Sequence, residues 1–585
     1  MSASHPSAAA PVSTKAERLA WARSAVLVVA GMVVVMVVLH VVWLVRFRRG
    51  YVTEWDESGY LQFALSNFDA LHDHGLWAFA KTVGGRGTFG PLLPFVTSIA
   101  YPVVGRGVFG SLLVVPLFFV GLVAAAFGLA RQFVSDWWAV LAAFAVAAIP
   151  AVTDYARLFH FALPATACMT AALWALVRTG GLRRSGWAAA FGAFVGLTLL
   201  SRTMTVAYVP GFVLAAGALF LVEAPDLRDK ARNLAIAAGA AILVAGPWYL
   251  ANARSVYDLL LGTGYGEAAT PYGRDYPVAS WGYWSKELRL DLALLWLPLG
   301  CVLLAAFVAA FGYAAMRRSR AGAPLLTLPR STRAVALLAL VLVVLEGYLA
   351  LTSSRNEGTA FALPWLPALV VLGVVATASI PARALQLGLA SLLIAVSLGA
   401  VVSKSGLFEP LAEVRTAAVP GLGDVPVTDG RGIIQLEVAG GGYDIGKVTE
   451  PLPALHRRWL PVAREVIGWS LRRADARHEP LNITLGLDDR IFGNSRLILA
   501  AQLWDHRYQP VDYLTSSDGD TIASYRRQLL APRRENALVS GELAPPATVT
   551  RAKVEAAARS LGFAPVKSFT LPDGRKIWLW WREPG

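Results

Sequence analysis

Three carboxylates follow the first long apolar run, within the stretch 51–60, which reads YVTEWDESGY. They are Glu54, Asp56 and Glu57. Carboxylates at the edge of a membrane lose part of their hydration, which costs free energy. Their presence there therefore suggests a function. Asp56 and Glu57 are adjacent, so their side chains diverge and each faces a different partner. A carboxylate at a membrane surface suits a general base toward a hydroxyl or a ligand to a divalent cation. The structural alternative is an acidic pair that caps the start of a helix.

Two arginines are placed to meet a phosphate group at the membrane surface. Arg202 interrupts a long apolar stretch, and Arg254 follows the segment 246–252, which closes another apolar run. A guanidinium donates two parallel hydrogen bonds, which match the oxygens of a phosphate. Asn252 is a further candidate for the same contact. The alternatives are that Arg202 extends to the interface and that 246–252 is an ordinary aromatic belt with a helix stop.

Other polar residues occur near the predicted membrane boundaries. Arg355 lies in a three-residue turn, and Glu346 lies inside an apolar run, where a charge costs a few kcal/mol and therefore suggests a function. Asp154 and Arg157 occupy another short turn and could pair with each other. The remaining candidates, all in the first outer loop, are Tyr60, Lys81 and Arg86.

The composition is that of a polytopic membrane protein. Of the 585 residues 56% are hydrophobic and only 16% are charged, and the mean hydropathy is +0.52, which is too apolar for a soluble protein. The net charge of +14 fits cytoplasmic loops that face anionic lipid, and nucleic acid is not predicted as a partner. Cys168 and Cys301 both fall inside apolar runs, so no disulfide framework is predicted. His72 and His74 have no third ligand in an obvious register, so no metal site is predicted there.

Eleven apolar windows are long enough to cross a membrane. They are 24–45, 107–130, 137–153, 158–177, 185–201, 203–222, 233–253, 292–316, 334–354, 358–382 and 384–403. The shorter piece 91–104 contains three prolines and is predicted to be juxtamembrane or re-entrant, because counting it as a span would place the arginine-rich loops outside. With a cytoplasmic N-terminus, Lys and Arg concentrate in the inner loops, and the long outer loops are 46–106 and 254–291.

The last third of the chain is polar and punctuated by Gly and Pro. Strand-like and helical patterns alternate there, in the order 481–487, 494–503, 536–540, 550–561, 567–571 and 576–581. This alternation predicts a small α/β domain. The predicted organisation is therefore a disordered cytoplasmic segment over 1–23, a polytopic α-helical transmembrane domain over 24–404 and an extracytoplasmic α/β domain over 405–585.

Over about residues 25–403 the chain resembles the GT-C membrane glycosyltransferases. The nearest group contains the protein O-mannosyltransferases and the bacterial aminoarabinose transferases, family 39 and its relatives. Four motifs carry the resemblance, in this order: the acidic pair Asp56-Glu57, the helix end Leu200-Ser-Arg202, the segment Pro247–Asn252 and the segment Leu363–Pro367, LPWLP. Their order and spacing, together with the predicted topology, match the family pattern.

The resemblance implies an enzyme of the bacterial plasma membrane that takes a sugar from a polyprenyl-phosphate carrier at the outer face. The sugar would pass, usually with inversion, to a hydroxyl of an envelope lipid, glycan or protein. Asp56 matches the presumed base, and Glu57 matches its acidic neighbour. The residues that would approach the donor phosphate are Arg202, Arg254, Lys81, Arg86 and Arg355. Family members differ in metal use, so a divalent cation stays open and no other cofactor is predicted.

In one place the chain departs from the family pattern. Where many members have an acidic residue near the start of the fourth span, this chain has Leu163-Pro164-Ala165, so a supporting role there shifts to Asp154.

Two other classes of function compete with the transferase. A transporter or flippase of lipid-linked sugars would use the same arginines and Glu346, but transporters show internal repeats and helices broken near the bilayer middle. Here the charges collect at one face and no repeat is evident, so the enzyme is favoured. The third class is an assembly or receptor protein whose working part is the tail 405–585.

Overall fold

The computed structural model describes most of the chain. The described residues are 15–48, 55–85, 87–221, 227–263, 266, 292, 296–321, 331–353, 360–405, 407, 415–419, 423–428, 459–487, 492–516, 519–530, 535–542 and 549–582. Two predicted site residues, Arg86 and Arg355, lie outside these ranges. Asp56 lies in a helix, but its side chain is not among those described.

The first 404 residues form helices joined by short turns. In chain order they are α1 (Lys15–Trp43), α2 (Trp55–Gly84), α3 (Leu92–Val104), α4 (Val108–Ala130), α5 (Asp136–Ala147), α6 (Pro150–Tyr155), α7 (Ala162–Arg178), α8 (Ser185–Ser201), α9 (Val209–Leu221), α10 (Leu227–Ala251), α11 (Ala253–Asp258), α12 (Trp296–Arg320), α13 (Thr332–Ser353), α14 (Leu366–Ala378) and α15 (Arg383–Lys404). α1 begins at Lys15, inside the predicted disordered segment 1–23. A π-helical turn, Leu44–Arg48, extends α1.

Seven stretches within the described residues are long and apolar enough to cross a membrane. They are Arg23–Arg46, Val108–Ala130, Thr203–Leu221, Leu227–Ala251, Leu299–Arg320, Thr332–Ser353 and Arg383–Lys404. The other apolar helices, α3, α5, α7, α8 and α14, are shorter. Each of the eleven predicted windows contains a helix, which confirms the polytopic helical fold, while the number eleven stays a prediction.

The helices differ in how their apolar surface is covered. α7 is buried along almost its whole length, and it packs with α4, α5 and α14 in one hydrophobic core. Helices at the periphery leave large apolar side chains uncovered, such as Leu27 on α1 (71% exposed), Leu243 on α10 (78%) and Leu304 on α12 (67%). A helix that is apolar all round is stable only when protein or lipid covers it, so these faces are the lipid-facing surface.

The C-terminal region is built around a five-stranded mixed sheet. Its elements are α16 (Trp459–Ala476), β3 (Ile483–Gly486), α17 (Asn494–Asp505), β4 (Val511–Tyr513), α18 (Ile522–Leu530), β5 (Ala537–Gly541), α19 (Arg551–Ser560), β6 (Phe563–Thr570) and β7 (Lys576–Arg582). The strand order is β4-β3-β5-β7-β6, in which β3 runs parallel to β4 and β5, and β7 is antiparallel to β5 and β6. An antiparallel hairpin of β1 (Arg415–Val419) and β2 (Gly423–Thr428) precedes it.

Helices cover both faces of this sheet. On one face Leu485, Val539 and Leu579 pack against α16 and α17. On the other face Leu538 and Trp580 pack against α18 and α19. Because neighbouring strand residues point to opposite faces, these alternating apolar positions give the region two cores, and the predicted α/β architecture is confirmed.

α17 joins the sheet region to the membrane part by packing along α2. The amide of Gln62 donates to the Ser495 carbonyl at 3.0 Å, and the amide of Gln502 donates to the Ser66 hydroxyl at 2.7 Å. Leu499, between them on α17, is fully buried in the hydrophobic core of the membrane part. This places α17 directly on α2, whose first turn contains the acidic pair.

Candidate active site

The first turn of α2 is held by Glu57. Its carboxylate is fully buried and accepts two hydrogen bonds, each 2.5 Å long, from Nη2 of Arg48, which lies just after α1. It also accepts a hydrogen bond of 2.8 Å from the backbone N–H of Phe159, in the turn between α6 and α7. Glu57 therefore connects three segments of the chain. Asp56 precedes it in the same turn.

Arg202 points into the protein and is only 9% exposed, so it does not extend to the interface. Its guanidinium carbon lies 4.4 Å from the ring centre of Phe161 and 4.0 Å from that of Phe361. Nη1 donates to the carbonyl of Ala360 at 3.2 Å. Tyr208, after Arg202 in the chain, donates to the Phe361 carbonyl at 2.5 Å.

Tyr60 and His160 complete what we call the Arg202 cluster, which comprises Tyr60, His160, Phe161, Arg202 and Phe361. The ring of Tyr60 stands edge-on to those of Phe161 and His160, with centres 5.1 and 6.2 Å away. Nδ1 of His160 accepts a hydrogen bond of 3.2 Å from the backbone N–H of Ala162. Position 56 lies one helical turn before Tyr60, so the two positions share a face of α2.

The backbone at the Arg202 cluster adopts an unusual conformation. Ala360 is fully buried and has φ of 62°, in the left-handed region. That conformation costs a residue with a Cβ about 1–3 kcal/mol, and residues held in it concentrate at functional sites. The hydrogen bond from Arg202 to the Ala360 carbonyl and the packing of Phe361 hold the turn in place.

Asp154 and Arg157 do not form the predicted ion pair with each other. Asp154 is paired with Lys404 at the end of α15, at 2.9 Å. Arg157 instead donates to the Lys404 carbonyl at 2.6 Å and to Nδ1 of His40 at 3.2 Å, and its guanidinium lies over Trp43 at 4.7 Å. Lys404, from the last membrane helix, provides the closer charge, so the pairing expected from the sequence was wrong.

Asn252 uses its amide to join the end of α10 to the end of α2. Its Oδ1 accepts from the backbone N–H of Gly87 at 2.8 Å, and its Nδ2 donates to the carbonyls of Gly84 and Trp248. These bonds bring Lys81 and Arg254 to the same side of the molecule, and both of these side chains are exposed. The structure does not bring either of them into the Arg202 cluster.

Glu346 lies in the middle of α13, away from the predicted outer loops. Its side chain packs against α9, where Gly211 leaves room for it: a Cβ at Gly211 would lie 2.7 Å from Oε2 of Glu346. Glu346 is therefore a helix-to-helix contact within the membrane part.

The described residues contain no group of three or more His, Cys, Asp or Glu side chains arranged to hold a metal ion. His72 and Asp73 on α2 are instead hydrogen-bonded to each other at 2.7 Å on the surface, and this bond lowers the pKa of Asp73.

Several residues at this site were not predicted from the sequence. Arg48, His40, His160 and Lys404 each lie within a few residues of a helix end and are buried against a candidate residue. The available signal was weak: His40 is the one polar ring in the first apolar run, and Lys404 closes the last one. Their partners are far away in the chain, so spacing alone could not assign them.

The arrangement connects α2 and Arg202 through one aromatic ring, that of Phe161, which contacts both Tyr60 and Arg202. α2 contributes the turn with Asp56, α8 ends in the buried cation Arg202, and aromatic rings line the space between these elements. A buried guanidinium between aromatic rings stabilises negative charge more than one in water, because the local dielectric is low.

Comparison with known proteins gives one partial family match. The family model described as dolichyl-phosphate-mannose-protein mannosyltransferase matches residues 88–249, less than a third of the chain. No curated protein sequence matches the chain.

Solved structures share the fold at low sequence identity. The structure of ArnT from Cupriavidus metallidurans bound to undecaprenyl phosphate superposes with a TM-score of 0.52 and 17% identity, covering 94% of this chain and 98% of that one. The apo structure of the same protein superposes with a TM-score of 0.50 and 16% identity, and it also covers 94% of this chain and 98% of that one. The structure of the arabinofuranosyltransferase AftD from Mycobacteria superposes with a TM-score of 0.54 and 15% identity, covering 95% of this chain and 40% of that one. The chain therefore shares the fold of these ArnT and AftD glycosyltransferase structures, and its residues 88–249 match the mannosyltransferase family model.

Proposed function

We propose that the protein transfers a sugar from a polyprenyl-phosphate carrier to an acceptor hydroxyl on an envelope lipid, glycan or protein. The reaction takes place at the outer face of a bacterial plasma membrane, on the side that carries the C-terminal α/β region. The observation that carries this proposal is the buried guanidinium of Arg202 over the ring of Phe161, which also contacts Tyr60, one helical turn after Asp56 on α2.

The chemistry is a single displacement at the anomeric carbon of the donor sugar. The carboxylate of Asp56 takes the proton of the acceptor hydroxyl while the hydroxyl oxygen forms a bond to the anomeric carbon. The bond from that carbon to the phosphate oxygen breaks, the polyprenyl phosphate leaves, and the anomeric configuration inverts. Arg202 stabilises the negative charge of the leaving phosphate.

The other predicted site residues take secondary roles in this proposal. Glu57 holds the first turn of α2 through its ion pair with Arg48, so it positions Asp56. Lys81 and Arg254, exposed near the Asn252 junction, attract the anionic headgroup before it reaches Arg202. Arg86 and Arg355 keep the predicted role of phosphate contacts, and a divalent cation stays an open requirement of the reaction.

The test is transfer of radiolabelled sugar from a panel of polyprenyl-phosphate donors to envelope extracts by the full chain reconstituted in liposomes. Asp56→Asn keeps the size of the side chain but cannot accept the proton. We expect its rate to fall by about 10²–10⁴-fold, the usual contribution of a general base.

Asp73→Asn is the matched control, since Asp73 lies on the same helix, is exposed and has no role in the proposed chemistry. It is expected to transfer at the rate of the parent. Equal transfer by Asp56→Asn and the parent would reject the proposed mechanism. Movement of labelled donor across the liposome membrane without transfer would instead favour the flippase.

A further inference from the structure

Arg157 lies in the buried turn between α6 and α7 and takes no part in the proposed displacement. The residue is 3% exposed. Its Nη1 donates to the backbone carbonyl of Lys404, at the end of α15, at 2.6 Å. Its Nε donates to Nδ1 of His40 on α1 at 3.2 Å, and its guanidinium carbon lies 4.7 Å from the ring centre of Trp43. One side chain therefore ties the turn to two membrane helices.

The same turn contacts the candidate site at two points. The backbone N–H of Phe159 donates to the carboxylate of Glu57 at 2.8 Å. Two residues later, the ring centre of Phe161 lies 5.1 Å from that of Tyr60 and 4.4 Å from the guanidinium carbon of Arg202. A displacement of the turn would therefore move the ring against which the Arg202 guanidinium packs.

The hydrogen bonds inside the turn do not hold it to another helix. The backbone N–H of Arg157 bonds to the Asp154 carbonyl at 3.0 Å, and that of His160 bonds to the Leu158 carbonyl at 2.9 Å. Both of these bonds join residues of the same segment. The Arg157 guanidinium adds the connection to α1 and α15, because its donors form a rigid planar fork that reaches both helices at once.

The structural alternative is that Arg157 only caps α15. The last carbonyls of a helix have no partner within it, and a cation there complements the helix dipole. That role needs no bond to His40, and a lysine can fill it as well. Nε2 of His40 has no hydrogen-bond partner among the described residues. The bond from Arg157 is therefore the hydrogen bond that the structure gives to this buried imidazole.

We propose that Arg157 is a positioning residue of the transferase. It holds the turn 157–161 against α1 and α15, and through Phe161 it sets the position of the Arg202 guanidinium relative to the leaving phosphate. The effect of Arg157 on the rate rests on the proposed function, whereas its hold on the turn does not.

The first test measures transfer by Arg157→Lys in the reconstituted full chain, at saturating donor and per amount of folded protein. Lysine keeps the charge and can still cap α15, but it has no planar fork. We expect kcat to fall about 10- to 100-fold, the effect of a small misplacement near the reacting atoms, with the KM for the donor unchanged. A helix cap alone predicts the kcat of the parent, and that result would overturn the proposal.

His40→Phe is a second variant that leaves Arg157 in place, in case its replacement prevents folding. The ring centre of His40 lies 4.8 Å from that of Phe119, so phenylalanine keeps an aromatic ring there and removes the acceptor. We expect a fall in kcat smaller than that of Arg157→Lys. The double variant should be no slower than Arg157→Lys, because both changes break the same bond. Independent, multiplying losses would contradict a shared role.

Arg178→Gln is the matched control, because Arg178 also lies over a tryptophan ring, that of Trp187, at 4.8 Å. It ends α7, 17 residues long, at the far end from the turn. It should transfer sugar at the rate of the parent.

Amide hydrogen exchange tests the hold on the turn without any transfer. Exchange over residues 158–162 should be faster in Arg157→Lys than in the parent, and in Arg178→Gln it should not change. If the parent transfers no sugar while this difference in exchange is present, the proposed function is rejected and the hold of Arg157 on the turn is supported. Equal exchange in Arg157→Lys and the parent would overturn the positioning role.

Discussion

Asp56 and Glu57 are neighbours in the first turn of α2, and adjacent helix positions point in different directions. Glu57 is buried in an ion pair with Arg48 and accepts the Phe159 N–H, so its charge holds three segments together. A carboxylate so buried and engaged does not reach an acceptor hydroxyl. This is why the base in the proposed mechanism is Asp56 and the supporting residue is Glu57.

Glu57→Gln should destabilise the protein strongly. The substitution leaves Arg48, whose side chain is 2% exposed, as a buried cation facing a neutral amide. Removing one partner of a buried pair costs about 3–5 kcal/mol. The free energy of unfolding, measured in detergent with increasing denaturant, should fall by that amount, and Arg48→Leu combined with Glu57→Leu should recover part of it. Equal stability of Glu57→Gln and the parent would show that the pair contributes little.

For individual residues, the sequence predicted which side chains belong to the site better than it predicted which side chains they contact. Asp56, Glu57, Tyr60 and Arg202 could be selected because polar or aromatic residues beside an apolar run are unusual there. The pairing of Asp154 with Lys404 could not be predicted, because it joins positions 250 residues apart through the packing of α15 beside α6.

At the scale of elements, Arg106 fastens α17 to the membrane part. Arg106 lies in the turn between α3 and α4. Its Nε and Nη2 donate to the two carboxylate oxygens of Asp69 on α2, at 3.0 and 2.9 Å. It also donates to the carbonyls of Gln502 and Leu503 in the last turn of α17, at 2.8 and 3.3 Å. Those carbonyls have no partner within their own helix, and a cation there also complements the helix dipole.

Arg106→Gln should loosen α17 without unfolding the sheet behind it. The amide that replaces the guanidinium can satisfy only part of this set of acceptors and carries no charge. Amide hydrogen exchange over Asn494–Asp505 and over the middle of α2 should become faster, while exchange in β5 and β7 stays unchanged.

Arg507→Gln is the control for this prediction. Arg507 forms an ion pair with Asp475 in the same region, but both side chains are 56% exposed. Such surface pairs contribute about 0–1 kcal/mol, so α17 should exchange as in the parent. Equal exchange in Arg106→Gln and Arg507→Gln would mean that Arg106 does not hold the two parts together.

A group of hydrogen bonds between the starts of α18 and α19 makes the stability of the C-terminal region depend on pH. Asp520, just before α18, accepts hydrogen bonds from Lys553 at 2.6 Å, Thr550 at 2.7 Å and Tyr525 at 2.6 Å, and these lower the pKa of its carboxyl far below the ordinary value. A lowered pKa in the folded state means that the stabilisation is complete above the unfolded pKa, about 4, and is lost as the pH falls below it.

The stability difference between the parent and Asp520→Asn should therefore be constant above about pH 5 and shrink below about pH 4. Thermal unfolding of both proteins across this range measures it. Asp573→Asn serves as a control, since Asp573 pairs with its near neighbour Arg575 at 2.6 Å within one turn and does not join α18 to α19. A difference that grows as the pH falls would contradict the assignment.

Secondary structure in the C-terminal region was largely predictable. The four predicted strands and two predicted helices all appear, because alternation and turn residues are local signals. The predictions did not include β1, β2, β4, α16 or α18. β4 has only three residues and needs its parallel pairing with β3 to form, which a local pattern cannot indicate.

On the scale of the whole molecule, the predicted orientation places Trp77 outside and Arg320 inside. Trp77 on α2 is 82% exposed, and Arg320 is exposed in the last turn of α12. In a variant that lacks Cys168 and Cys301, a cysteine introduced by Trp77→Cys should react with a membrane-impermeant maleimide on intact cells. A cysteine introduced by Arg320→Cys should react only after the membrane is opened. The reverse pattern would invert the orientation and move the proposed reaction to the other face.

The role of Arg106 also has a consequence for the order of events during synthesis. Arg106 leaves the ribosome 396 residues before Gln502, whose carbonyl it binds. The residue that binds the end of α17 is therefore synthesised long before α17 itself. The earlier half of the chain can act as a template on which the later half completes its folding. A protein expressed from about residue 405 onward would lack that template, and its α17 would fray at the end where Arg106 is missing.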